Sequence, residues 1–338
     1  MYKRKHLSSM FLALLVFAVM WILYGWNYWN GDREGYEAYY YSRDTLASWG
    51  GEVGYGFLNI FASGTGLPYQ AFQVLISLVT LLLVLRYILK TTISPFASIL
   101  VYAVFFFSLD FVLMRNFLAF AIFLQGILVL YEGKQLCKIK YALIILLAAT
   151  IHQSSLMFMV FIFIPINRTI DIGRFIILFF VFLCFYVLAR YSLPLPDSIA
   201  RHFNYYDTSL KSSLANVFMH LVSTVLITLV VLAERKSLYK LDNFSARDRE
   251  LSFVLSLNLL SLFFLVLYFE SEIFIRLFRS VLFFNMLHCI NSFFLLRRTY
   301  LFLVLYILFF AIYLIFFFLV PVAGFSVFPL FNYNLLLN

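Results

Sequence analysis

The chain alternates between long apolar runs and short polar stretches. Ten runs fall near 7–26, 69–89, 95–112, 113–131, 141–165, 174–192, 213–233, 250–269, 273–296 and 300–320. About 20 apolar residues, at 1.5 Å each, match the hydrocarbon thickness of a bilayer. None of the runs alternates with a period of two and none repeats another, so each predicts a helix. The expected fold is all-α: one polytopic transmembrane domain over 1–338, with about 10–11 membrane helices.

The polar stretches set the expected orientation. Lys3, Arg4 and Lys5 precede the first run and place the N-terminus in the cytoplasm, because basic flanks stay inside. The stretch 27–68 is then an outer loop, periplasmic or extracellular. It is acidic, with Asp32, Glu34, Glu37, Asp44 and Glu52 against Arg33 and Arg43. Arg86, Lys90 and "EGKQLCKIK" (132–140) come inside. Carried straight through 141–165, the count would put the basic stretch 234–250 outside. If 141–165 instead enters, turns and leaves on one face, then 167–174, 234–250 and Arg297/Arg298 become cytoplasmic and 190–213 a second outer loop. The middle of that run reads "AATIHQSSL". A polar cluster there suits the tip of a broken or re-entrant segment better than a lipid-facing helix. The alternative is one long tilted helix with a buried His152 and a single failure of the positive-inside tendency.

Composition agrees with the pattern. Of 338 residues, 64% are hydrophobic and 12% charged, half the roughly 25% of a soluble domain. The net charge of +9 resides largely in residues flanking the runs, so it serves orientation and does not suggest nucleic acid. Cys137, Cys184 and Cys289 lie far apart without a CxxC spacing, which suggests neither a disulfide framework nor a metal cluster. The first run is too long for a signal-peptide core and no A-x-A site follows, so it reads as an uncleaved helix. There is no DxD-like site, P-loop or GxGxxG, and no metal, nucleotide sugar or other cofactor is expected.

Charges within the runs carry the candidate chemistry. Arg115 sits in "FSLDFVLMRNFLAFAIFLQGILVLY" (107–131), where an ionised side chain costs several kcal/mol unless it is paired or functional. In the expected topology Arg115, His152, Arg201, His202, Arg276 and Arg279 all gather on the outer side. Arginine suits phosphate, since its planar fork donates two hydrogen bonds and keeps its charge. The adjoining "WNYWNGDREGYEAYYYSRD" (26–44) supplies carboxylates for hydroxyls and aromatic faces for sugar rings. Together they suggest a lipid-phosphate-linked glycan. Plainer roles exist for each residue. Arg115 could pair with Asp110 or snorkel to headgroups, His152 could be a satisfied core histidine, and Arg276 and Arg279 could pair with Glu270 and Glu272. The loop acids could merely hold their loop outside.

Four segments resemble the EpsG family of exopolysaccharide proteins. "MRNFLAFAIFL" (114–124) resembles its R-Q-x-x-A helix, with Asn116 where Gln is usual. "IHQSSLMF" (151–158) is similar to its H-x-S-A/S segment. "GDREGYEAYY" followed by "GGEVGYGFLN" (51–60) resembles its D-x-x-x-Y and E-x-G-Y pair, and "EIFIRLFRSVLFF" its Arg-bearing late helix. The resemblance implies a Wzy-type polysaccharide polymerase of the bacterial plasma (inner) membrane. Its donor and acceptor would be undecaprenyl-pyrophosphate-linked oligosaccharides, and a chain-length regulator and a flippase would be its partners. The expected catalytic residues are Arg115, His152 and Arg276. Arg279, Arg201, Asp32, Glu34, Tyr36, Glu52 and Tyr55 are expected to bind substrate. An O-antigen ligase-like transferase of the same lipid carrier is the nearest alternative. A transporter or flippase is disfavoured, because no inverted repeat is visible.

Overall fold

The computed structural model describes residues 7–166, 168–191, 210–238, 244–271, 274–295, 300–315 and 324–337. The expected second outer loop, with Arg201, lies mostly outside them, as do Arg297 and Arg298. The described residues form helices with no strand, only one isolated bridge between Asn27 and Asn334. The elements are α1 (Leu7–Gly25), α2 (Arg33–Tyr40), α3 (Thr45–Trp49), α4 (Val53–Gly64), α5 (Tyr69–Thr91), α6 (Pro95–Phe105), α7 (Phe107–Asp110), α8 (Met114–Glu132) and α9 (Cys137–Ile151). A 3₁₀ segment, Gln153–Phe163, precedes α10 (Ile172–Tyr191), α11 (Leu210–Leu238) and α12 (Phe244–Ser261). A second 3₁₀ turn, Leu262–Phe269, precedes α13 (Ile275–Leu295), α14 (Tyr300–Leu314) and α15 (Val327–Asn332).

Among the described residues six helices are long and apolar enough to cross a membrane, and four shorter apolar ones accompany them. The protein is thus an all-α, multi-pass membrane protein. Each of the ten apolar runs carries one of these helices. Two of the shorter ones mark where a run breaks: after Phe105 and at His152.

Contacts between helix ends define the two ends of the bundle. At one end the Phe96 N–H donates to Ser9 Oγ (3.2 Å) and the Ile93 N–H to Asn291 Oδ1 (2.9 Å). Arg249 Nη2 donates to the Tyr131 carbonyl there (2.8 Å). Gly133, the left-handed cap of α8 (φ 61°), belongs to the same end, where a Cβ would stand 2.5 Å from both Ile166 and Arg249. At the other end, Gln70 Nε2 donates to the Gly25 carbonyl (2.6 Å) and the ring of Tyr24 meets Phe107 and Phe111. The 27–68 loop sits here.

The segment 141–165 is a hairpin. Gly133 and Ile166 meet at the first end, while His152 reaches the 27–68 loop at the second. Tyr141 Oη donates across the hairpin to the Phe158 carbonyl (2.5 Å). His152 is extended (φ −149°, ψ 114°), and its N–H closes the last turn of α9 on Ala148 (2.9 Å). Polar side chains that compete for backbone groups favour a stop at this point. The returning 3₁₀ limb of the hairpin stacks Phe158 on Phe123 with ring centroids 3.9 Å apart.

The C-terminal segment gives independent support. The Leu335 N–H donates to the Trp26 carbonyl (3.0 Å), Asn334 Nδ2 to Ile22 (3.0 Å) and Asn27 Nδ2 to Pro329 (2.8 Å). The chain therefore returns to the end it reached at Trp26, which requires an even number of crossings in between. Nine runs lie in between. If each of the other eight runs crosses once, a hairpin at 141–165 gives the even number and a single tilted helix an odd one.

Candidate active site

Three segments distant in sequence meet at the loop end. The turn Gly50–Glu52 follows α3, with Gly50 at positive φ (57°), and places Glu52 immediately before α4 with its side chain free of any cap bond to that helix. This turn lies directly against the tip of the 141–165 hairpin. A Cβ on Gly54 would stand 2.2 Å from Thr150 Oγ1 and 3.1 Å from the Thr150 carbonyl, whereas one on Gly51 would meet only the amide end of Gln153. Gly54→Ala should therefore cost about 1–3 kcal/mol by overpacking against fixed backbone. Gly51→Ala, opposed by a side chain that can swing away, should cost less. Thermal unfolding of the two variants in nanodiscs checks the order.

Glu52 joins the other two segments. One carboxylate oxygen is ion-paired with Arg115 Nη1. The other accepts from His152 Nδ1 (2.6 Å) and from the Gln153 N–H (3.3 Å). The Glu52 side chain is 8% exposed, that of His152 18% and that of Arg115 29%. Burial pushes the Glu52 pKa up. The His152 hydrogen bond, the Arg115 charge and the Gln153 N–H outweigh it and hold the carboxyl below its usual range. An ionised Glu52 can only accept, so the proton of the 2.6 Å contact resides on Nδ1. That leaves Nε2 as the ring nitrogen for a ligand.

Arg115 is held from several sides. Its guanidinium lies over the ring of Trp49 (4.6 Å) and that of Tyr36 (5.4 Å), with Nε 3.5 Å from Tyr36 Oη. Tyr36 is buried, and burial raises its pKa despite the Arg115 charge, so its hydroxyl stays protonated. Tyr55 is fully buried with Oη 3.0 Å from the Met114 sulfur, and it supports Trp49 and Tyr36 from beneath. Glu34 is exposed on α2. Asp32 is half-buried. Burial raises its pKa, and the charges of Arg276 and Arg115 pull it back, which places both guanidinium groups within electrostatic reach of this carboxyl.

The remaining arginine of the set has a different environment. Arg279 is ion-paired with Asp110, and its Nη2 also donates to the Phe106 carbonyl (2.7 Å). The two charged side chains are 5% and 7% exposed. Tyr102 Oη donates to the second Asp110 oxygen (2.7 Å). Asp110 thus belongs to Arg279, not to Arg115, and Glu270 accepts from the Tyr186 hydroxyl. Arg276, one turn before Arg279 on α13, is half-exposed. It lines a cleft with Phe106, Asp110, Asn116, Phe120, Arg279 and Ser280. Arg201 lies outside the described residues. No group of three or more His, Cys, Asp or Glu able to hold a metal occurs among the described residues.

Sequence reasoning missed three features of this region. Trp49 showed no signal that separates it from the other loop aromatics. Glu52 was expected to bind substrate, and its pairing with both Arg115 and His152 was not foreseen. Arg33 is buried, donating to Gln73 Oε1 (2.6 Å) and the Asn27 carbonyl (3.0 Å), and it anchors the loop to α5.

The family model that matches this chain, that of the EpsG family, spans residues 10–335, nearly its whole length. The chain belongs to the EpsG family. This is a family of Wzy-like polysaccharide polymerases. No curated protein and no solved structure matches the chain. Of the EpsG-like stretches, the Arg115 helix, the His152 tip and the Glu52 turn converge on one carboxylate. The Asp32 turn and the Arg276 helix stand beside them.

Proposed function

We propose that this EpsG-family protein is a polymerase of undecaprenyl-pyrophosphate-linked oligosaccharide repeat units, acting at the outer face of the bacterial plasma membrane. The observation that carries the proposal is the convergence of Arg115, Glu52 and His152, with Asp32 and Arg276 within electrostatic reach. Glycosyl transfer from a pyrophosphate needs two things from a protein. The departing pyrophosphate needs cations, and the attacking hydroxyl needs an acceptor for its proton.

The Glu52–His152 pair suits the second need. Glu52 holds the imidazole with its proton on Nδ1, so Nε2 can take the acceptor proton. In the same step the acceptor oxygen bonds to the anomeric carbon of the donor. The bond from that carbon to the phosphate oxygen breaks, and its electron pair leaves with the pyrophosphate. Arginines at this end of the bundle offset the charge that develops. The Asp32 and Glu34 carboxylates and the Tyr36 and Trp49 rings suit the sugars, and the 27–68 loop lies outside the membrane in this reading.

The test uses a strain lacking the protein, complemented with wild type, Arg115→Ala or Arg115→Lys at equal membrane levels. Surface polysaccharide is then resolved on a gel. Collapse of the ladder to single repeat units with both variants is the expected result. An unchanged ladder from Arg115→Ala would remove this arginine from the site. Loss of every surface glycan, single units included, would point to export or ligation.

A further inference from the structure

Two helices of the 27–68 loop differ in what they turn outward. α2 exposes Glu34, with Asp32 and Glu37 half-exposed beside it, as a water-facing helix should. α4 does the reverse. Its sequence, VGYGFLNIFASG, holds no charged residue. Tyr55, Gly56, Asn59 and Ala62 form its buried face, and a Cβ on Gly56 would stand 2.9 Å from Leu46 of α3. Val53, Phe57, Ile60 and Phe61 face outward, with Phe57 60% and Phe61 75% exposed. They recur at i, i+4, i+7 and i+8, which places them on one side of the helix. A contiguous apolar patch of this kind marks a contact surface.

Lipid fits this patch because the chain on either side of it already faces lipid. α4 begins against the end of α9, where Gly54 meets Thr150. Leu146 and Leu147 lie one turn before Thr150 on the same side of α9, and both are turned outward from the apolar hairpin. Past Phe61 the chain runs through 65–68 into the membrane helix α5, whose outward residues include Leu75, Val79 and Leu82. The α4 stripe therefore joins two lipid-facing stripes at the loop end. It offers a protein partner no charged rim.

We infer that α4 is an interfacial helix: Phe57, Ile60 and Phe61 rest among the acyl chains of the leaflet at the loop end, while α2 stays in water. The loop lies outside the bilayer core and is moored to its surface. Helices of this kind sink their apolar face about 5–10 Å into the boundary between headgroups and acyl chains. Glu52 immediately precedes α4, so the same contact holds Glu52, and with it Arg115 and His152, at headgroup depth. The phosphates of a lipid-linked sugar lie in that layer, a consequence that rests on the polymerase proposal. The lipid contact itself does not.

The test is site-directed fluorescence on the full-length protein in nanodiscs. Phe61→Cys is combined with Cys184→Ser and labelled with bimane, since Cys137 and Cys289 are buried. Leu146→Cys on α9 and Glu34→Cys on α2 serve as the lipid and water references. A doxyl group near the top of the acyl chain should quench Phe61→Cys as strongly as Leu146→Cys, and iodide should quench it several-fold less than Glu34→Cys. Quenching by iodide at the Glu34→Cys level overturns the inference. Protection from both quenchers overturns it too, since protein, such as a second copy of this chain, would then cover the face. In cells, Phe57→Asp with Phe61→Asp should remove the long bands of the ladder at equal membrane levels, and Phe57→Leu with Phe61→Leu should keep them. A normal ladder from the Asp pair would overturn the link between lipid contact and the depth of Glu52. A ladder that persists in cells lacking the protein would sink the polymerase proposal and leave the quenching result standing.

Discussion

Glu52→Gln should abolish polymerisation while leaving the protein in the membrane. The substitution keeps the shape of the side chain and removes the charge that faces Arg115 and orients His152. The amide can present its NH₂ to His152, which favours the opposite tautomer and puts the proton on Nε2. Loss of a correctly held general base costs about 10²–10⁴ in rate. A ladder reduced to single repeat units, with membrane levels unchanged, is the expected result. A normal ladder would show that the Glu52–His152 contact is structural alone. The same variant should alter acid stability. Because the Glu52 pKa is lowered in the folded protein, its contribution is fully present above the ordinary carboxylate value of about 4.3 and is lost as pH falls through the folded value. Thermal unfolding of wild type should therefore weaken in acid by a component that Glu52→Gln lacks.

Arg279→Met should destabilise the protein more than any substitution at Arg276. It would strand Asp110 in a site where both charged side chains are less than one-tenth exposed. Breaking such a pair costs about 3–5 kcal/mol, because the remaining charge is buried alone. Adding Asp110→Asn removes that charge and keeps an acceptor for the Tyr102 hydroxyl. The double variant should therefore recover most of the loss, which thermal unfolding of the single and double variants in nanodiscs would show. An Arg279→Met variant of unchanged stability would show that the Arg279–Asp110 pair does not hold the fold.

Hydrophobicity along the chain was enough to determine the fold class and the number of apolar segments. Every backbone polar group in lipid must be satisfied within its own segment, so a long apolar run has to be helical. The hairpin at 141–165 was also legible, from the His152–Ser155 polar cluster and from the side on which 234–250 had to fall. Tertiary structure alone decided which charges pair. Arg115 ignores Asp110, five residues away, and takes Glu52 at a separation of 63. Glu52 takes His152 at 100, and Arg279 takes Asp110 at 169. The docking of the C-terminal segment on Asn27 was equally invisible. Hydropathy and helical period report which face of a helix is apolar. The partner of a buried charge depends on how each helix is rotated and which turn of another helix lies opposite it, and that is set by packing of segments that share no local sequence.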